Sequence, residues 1–197
     1  MRTKSPQTVY QLKVTLLGAT PAIWRRLVVP ESFTLARLHI VLQLSMDWKD
    51  SHLHQFRIDR KTYGRPDRDD EAADFPGQLD EGRAKLSSVL GQGKKALYIY
   101  DFGDDWQHAI EVETVLPMEA GQAYPLCVAG ERRSPPEDCG GVPGYYNLLR
   151  VMSDRYHPEY KETRRWLGGD FDPEAFSIDT VNSRIARLHR TSSAGIA

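Results

Sequence analysis

The chain has 197 residues and a mass of 22.4 kDa, with 40% hydrophobic and 27% charged residues and a net charge of −1. That balance is ordinary for a globular chain and disfavours the disordered, collagenous, coiled-coil and membrane classes. The lack of a basic excess weakens a nucleic-acid-coating role, and a chain of this size should bury about 70% of its unfolded surface, enough for a core without disulfides or metal.

Arg2 and Lys4 start the chain, but Gln11, Lys13 and Thr15 interrupt any apolar run. No signal peptide and no membrane span are expected, and the reading is cytoplasmic. Residues 9–17 alternate, with Tyr10, Leu12, Val14 and Leu16 on one face, which predicts a half-buried strand. The turn signal Gly18-Ala19-Thr20-Pro21 leads to a second strand carrying Ile23, Arg25, Leu27 and Val29 on one face. Residues 34–46 switch to helical spacing through Leu35, Leu38, Leu42 and Met46, with Thr34 as N-cap and Trp48 closing over the end. A strand is expected over residues 52–59, then a polar loop over 60–84 whose acidic run, 67–81, reads as a solvated surface.

Strands follow at 96–102 and 105–116, joined by a two-residue turn with Gly103 first. That register sets Asp101 opposite Trp106, Ile99 opposite His108 and Leu97 opposite Ile110. Residues 117–143 read as an irregular Gly- and Pro-rich loop. Helices are expected at 145–152, from Pro158 to Leu167, after Asp172-Pro173, and from Asp179 with the stripe Val181, Ile185 and Leu188. The order predicts an α+β fold: a mainly antiparallel sheet of about five strands, one helix after the first hairpin, and a helical C-terminal part. One domain is expected, strand-rich over 8–116 and helical over 144–190, with a flexible tail at 191–197.

Candidate chemistry comes from strand parity. His54 shares a face with Phe56 and Ile58, His108 with Trp106 and Ile110, and Asp101 with Leu97 and Ile99. Each ionisable group is therefore expected to point to the core side of the sheet, with Asp101 and His108 close enough to meet. A carboxylate and two histidines so placed could hold a divalent metal, orient a general base, or form a structural hydrogen-bonded cluster. A second candidate is Pro135-Pro136-Glu137-Asp138-Cys139-Gly140-Gly141, where a loop could turn both carboxylates into a cleft, its glycines could admit a ligand and the following helix start could favour an anion; a rigid turn with capped amides is the bland alternative. Cys127 and Cys139, twelve apart with no CxxC, read as free thiols. Arg184, Arg187 and Arg190 read as a solvated helix face that could touch phosphates. The HxxR string His54-Gln55-Phe56-Arg57 of tyrosine recombinases falls on an expected strand and reads as a chance match.

Three blocks, in this order and spacing, cover the chain from Tyr10 to Leu188: IWRRLVVP with TLARLHIVLQLSMDW and HLHQF; YIYDFGDDWQHAIEVE; and CVAGERRSPPEDCGGVPGY with the trailing FD and VN. This combination resembles the plasmid Ri ORF-three-like family (plasmid pRiA4b ORF-3-like). The resemblance implies an α+β fold and motif residues at His54, Asp101, Asp104, Trp106, His108, Glu137, Asp138, Gly140 and Gly141. It also implies relatives carried on plasmids, chromosomes and insertion sequences, sometimes labelled TnpR as if resolvases, although this chain lacks either recombinase nucleophile context. Two readings follow. One is a non-enzymatic accessory or interaction protein, with a protein or nucleic-acid partner. The other is a metal-assisted hydrolase, with His54, Asp101 and His108 as ligands, Glu137 or Asp138 as base, and Asp104, Trp106, Gly140 and Gly141 lining the cleft. The second requires the 135–141 loop to reach the sheet end that carries Asp101.

Overall fold

The computed structural model describes residues 7–66 and 77–188; the expected tail at 191–197 and residues 67–76 of the acidic run lie outside them. β1 (Thr8–Leu16) and β2 (Trp24–Pro30) form the opening antiparallel hairpin, with Leu12 opposite Leu27 and Val14 opposite Arg25. The alternating face Tyr10, Leu12, Val14 and Leu16 is buried, and Arg25 is buried with it. α1 (Leu35–Met46) begins where Thr34 accepts the Arg37 amide at 3.3 Å and ends at Asp47 in the left-handed region. Its stripe of Leu35, Leu38, Val41, Leu42 and Met46 packs into the same core as the strands. Trp48 then folds back and is buried, its indole N–H donating to the Pro135 carbonyl at 2.9 Å.

Six further strands complete one sheet: β3 (His54–Ile58), β4 (Lys61–Gly64), β5 (Leu79–Asp80), β6 (Lys95–Tyr100), β7 (Trp106–Pro117) and β8 (Leu126–Glu131). The order is β5-β4-β3-β6-β7-β1-β2-β8, antiparallel except for the β4–β5 pair. The expected sheet of five antiparallel strands is thus corrected to a mixed sheet of eight. The three additional strands escape a pattern reading because β4 and β5 are four and two residues long, and β8 carries Gly130 inside it. A strand that short has no periodicity to read, and it is recruited by the neighbour it pairs with.

The β6–β7 connection also departs from expectation. It is a five-residue loop, 101–105, with Asp101 at φ 57° and Asp105 at φ 52°. The Asp101 carboxylate accepts the Gly103 and Asp104 amides at 3.0 and 3.3 Å, an Asx-type turn that competes with strand pairing. The register therefore shifts: Tyr100 faces Trp106, Tyr98 faces His108 and Ala96 faces Ile110. The inward row of β6 is Ala96, Tyr98 and Tyr100, and Asp101 leaves the strand altogether.

A one-turn helix α2 (Leu86–Val89) precedes β6, and the C-terminal part holds α3 (Gly141–Ser153), α4 (Tyr160–Trp166) and α5 (Ile178–Ile185). Asp172-Pro173 forms a turn rather than a helix start, with Asp172 accepting the Glu174 amide at 2.9 Å. Ser177, not Asp179, caps α5, accepting the Thr180 amide at 3.2 Å. Val181 and Ile185 bury α5 against the core, and the Asn182 amide exchanges two hydrogen bonds with the Cys127 backbone at 2.7 and 2.9 Å. Among the described residues no helix is long and apolar enough to cross a membrane.

Candidate functional site

Two loops named by the sequence meet at one end of the sheet. The Tyr100 hydroxyl donates to Glu137 at 2.5 Å and accepts the Ser51 amide at 3.0 Å. Glu137 also accepts the Lys49 amide at 3.1–3.2 Å. Burial, with the Glu137 carboxylate beside it, pushes the Tyr100 hydroxyl well above its ordinary pKa, so it remains a donor. Asp104 accepts the Gly140 amide at 3.1 Å, so the anion at the start of α3 is the chain's own carboxylate. Gly141 has φ 65°, and a Cβ there would collide with the Asp104 carbonyl oxygen. The glycines of the 135–141 loop therefore admit a neighbouring loop to close backbone contact.

His52, the first residue of the HLHQF block but not one of the candidate site residues, joins this junction. Its Nε2 lies 3.0 Å from Asp138 and 3.5 Å from Asp101. Cys139 follows Asp138 in the chain, and burial, reinforced by the Asp104 and Asp138 charges, pushes its thiol up to about 12. Such a thiol is inert at neutral pH. Both cysteines are free.

The expected trio of His54, Asp101 and His108 is not brought together. Asp101 turns to the loop amides and His52, for the reason given by its left-handed backbone. His108 is 1% exposed and packed against the Trp48 and Tyr98 rings, with Nδ1 against the Trp106 carbonyl at 3.2 Å. Burial lowers its pKa to about 4, so it is a neutral core imidazole. Trp106, expected in the cleft, is fully buried.

His54 instead faces α1. Its ring stacks on His39 at 3.5 Å and 3°, and its Nε2 lies 2.8 Å from Glu81. His39 Nε2 lies 2.8 Å from Asp50, and its Nδ1 lies 2.8 Å from the Tyr98 hydroxyl, which also accepts from Gln43 at 3.0 Å. Glu81 reaches the cluster because the segment before α2 runs beside the start of α1: its amide donates to the Gly64 carbonyl at 3.1 Å and its carbonyl accepts the Ala36 amide at 3.3 Å. At 3% exposure it corrects the reading of that acidic run as solvated throughout. Burial first, then the facing His54, lowers the His39 pKa to about 4. Among the described residues, two sets of His, Asp or Glu hold ligand atoms within 4.8 Å of one another: His39–Asp50–His54 and His52–Asp101–Asp138. His39 was legible in principle, as a polar residue inside the apolar stripe between Leu38 and Leu42.

A cleft of about 700 Å³ opens beside the junction, between the end of α1, the 133–138 loop and the C-terminal helices. Arg25 closes its base. The guanidinium donates to the carbonyls of Trp24, Ser45 and Glu131 and to the Ser134 hydroxyl at 2.8–3.1 Å, and lies over Phe176 at 4.7 Å. Burial, with the Arg184 charge nearby, lowers its pKa to about 10. At the rim stand Arg133, over Phe171 at 4.6 Å, Arg184, paired to Asp47 at 2.8 Å, and Trp166, 52% exposed.

Residues 8–180 match the family described as Plasmid pRiA4b ORF-3-like protein. The chain belongs to that family. It is 39% identical over 184 residues to an uncharacterised protein, y4hQ, of Sinorhizobium fredii (strain NBRC 101917 / NGR234), covering 92% of each chain. Its fold is similar to the crystal structure of a protein of unknown function, MM3350, from Methanosarcina mazei Go1, with a TM-score of 0.81, 42% identity, and coverage of 90% of this chain and 98% of that one. The fold that the resemblance implied is thus the fold found, and the motif residues of this pRiA4b ORF-3-like chain divide between the loop junction and the sheet core.

Proposed function

We propose that this protein is a non-enzymatic binding protein that holds an extended segment of a partner protein in the cleft beside the loop junction. The observation that carries the reading is the rim: an exposed Trp166 with Arg133 and Arg184 around a concave surface. Tryptophan and arginine dominate binding energy at interfaces, and an apolar ring left in water at a cleft mouth marks a contact surface. The cleft mixes Arg25, Arg133, Arg184 and Lys49 with Asp47, Glu137 and Asp138, which suits a polar peptide better than a polyphosphate backbone.

The hydrolase alternative is less well supported, because Glu137, one of its two bases, is already engaged. Glu137 receives the Tyr100 hydroxyl and the Lys49 amide. These bonds suit a rigid wall. In this reading the chain works as one domain in the cytoplasm, where free thiols persist. A link to mobile elements would then be that of an adaptor beside recombination machinery, with no strand exchange of its own.

Fluorescence anisotropy against a labelled peptide library and a labelled DNA duplex tests this. Peptide binding that is lost in Trp166→Ala and Arg133→Ala, with melting temperature unchanged, is expected. Duplex binding alone, or peptide binding indifferent to both substitutions, overturns the proposal.

A further inference from the structure

We propose that His39, Asp50 and His54 form a binding site for a single divalent transition-metal ion of the zinc class, with Glu81 beside His54. This site shares no residue with the partner cleft and does not depend on it. Two imidazole nitrogens and one carboxylate oxygen lie within 4.8 Å of one another, a combination that suits borderline first-row ions.

The geometry is close to what an ion needs. Each Nε2 lies 2.8 Å from a carboxylate oxygen, and the two rings are parallel at 3.5 Å. Metal–ligand distances of about 2.0–2.2 Å in a tetrahedron separate the donor atoms by about 3.3 Å, so the His39–Asp50 pair must open by roughly half an ångström while the three donors, within 4.8 Å of one another, draw around the ion. The far nitrogen of His39 already has the partner that ligand histidines use to fix their orientation. The Tyr98 hydroxyl, 2.8 Å from Nδ1, can accept Nδ1–H and leave Nε2 free for the ion, and Gln43 holds that hydroxyl in place.

Charge points the same way. Glu81 is buried at 3% exposure, and its only ion-pair partner among the described residues is His54. Asp50 adds a second carboxylate, with Arg65 3.4 Å away on its outer oxygen. A buried carboxylate with so few partners is costly, and a dication beside Glu81 lowers that cost. An entry path exists: a cleft of about 630 Å³ is lined by His39, Glu81, Arg65 and Asp80. The second set, His52–Asp101–Asp138, is weaker, since Asp138 is exposed and Asp101 is committed to the Gly103 and Asp104 amides.

The test uses the full chain, freed of metal by chelator dialysis and titrated with zinc chloride by calorimetry, and with cobalt chloride by visible absorption. One ion per chain is expected, with a tetrahedral cobalt spectrum. Affinity should fall at least 100-fold in His54→Gln and about 10-fold in Glu81→Gln and Tyr98→Phe, and stay unchanged in His52→Gln. Asp50→Asn, at a part-exposed loop position, keeps the test open should a core variant fail to fold, and should also weaken binding. The absence of stoichiometric binding by the unsubstituted chain would overturn the proposal. So would loss of binding in His52→Gln alone, which would assign the ion to the other cluster.

Discussion

Replacing Gly141 by alanine should separate the two motif loops. At φ 65° an alanine costs about 1–2 kcal/mol for the left-handed backbone alone. Its Cβ would also drive into the Asp104 carbonyl, which is backbone and cannot step aside without moving the 101–105 loop. That movement breaks the Gly140 amide bond to the Asp104 carboxylate, 3.1 Å long, a charge-assisted bond of about 1.5–3 kcal/mol. The expected loss is about 2.5–5 kcal/mol, or about 5–20 °C in Tm for a chain this size. Gly93 is the control. It has φ 75°, and nothing lies within 4 Å of an added Cβ, so Gly93→Ala should cost only the backbone part, about 1–2 kcal/mol. Urea unfolding at pH 7 and calorimetric melting of both variants give the comparison. Combining Gly141→Ala with Asp104→Ala should be less than additive, because both remove the same contact. Equal losses in the two glycine variants, or full additivity in the cycle, would refute the close approach as the joint between the loops.

Acid should destabilise the protein through His108. Its folded pKa of about 4 lies below the ordinary 6.5, so the unfolded chain takes the proton first; the contribution is whole above pH 6.5 and lost as pH falls towards 4, about 2 kcal/mol of it by pH 5. His39 adds to the same window, so His108→Gln should flatten the pH 7-to-5 difference in urea unfolding by about half, and an unchanged slope would remove His108 from the account. Arg25→Met should cost about 3 kcal/mol or more, because the Ser45 and Glu131 carbonyls lose a buried donor; Arg25→Lys should recover part of it, and an unfolding midpoint equal to that of the unsubstituted chain would contradict the pinning role. Trp166→Ala should change stability by less than about 0.5 kcal/mol, since α4 buries no residue, and a large melting shift would mean the ring is structural.

Strand alternation and helical spacing are local properties, and the residues that carry them were legible. Tyr10 to Leu16, the Thr34 cap, the α1 stripe and the inward parity of Arg25, His54 and His108 all follow from periods of two and 3.6. The sequence also named both halves of the loop junction, since Asp101, Asp104, Glu137, Asp138, Gly140 and Gly141 do meet. What one histidine faces is decided elsewhere. Asp101 chose its own loop amides over the strand, which moved the β6–β7 register by one residue and turned Tyr98 and Tyr100 inward in place of Leu97, Ile99 and Asp101. Glu81 and Asp50 lie 27 and 11 residues from the histidines they meet. Those pairings depend on the antiparallel β3–β6 neighbours and on the segment beside α1 that no local pattern encodes. Tertiary structure therefore selected the partners of His39 and His54, because burial made these rings pair with the polar atoms that the sheet order, not the spacing, had delivered.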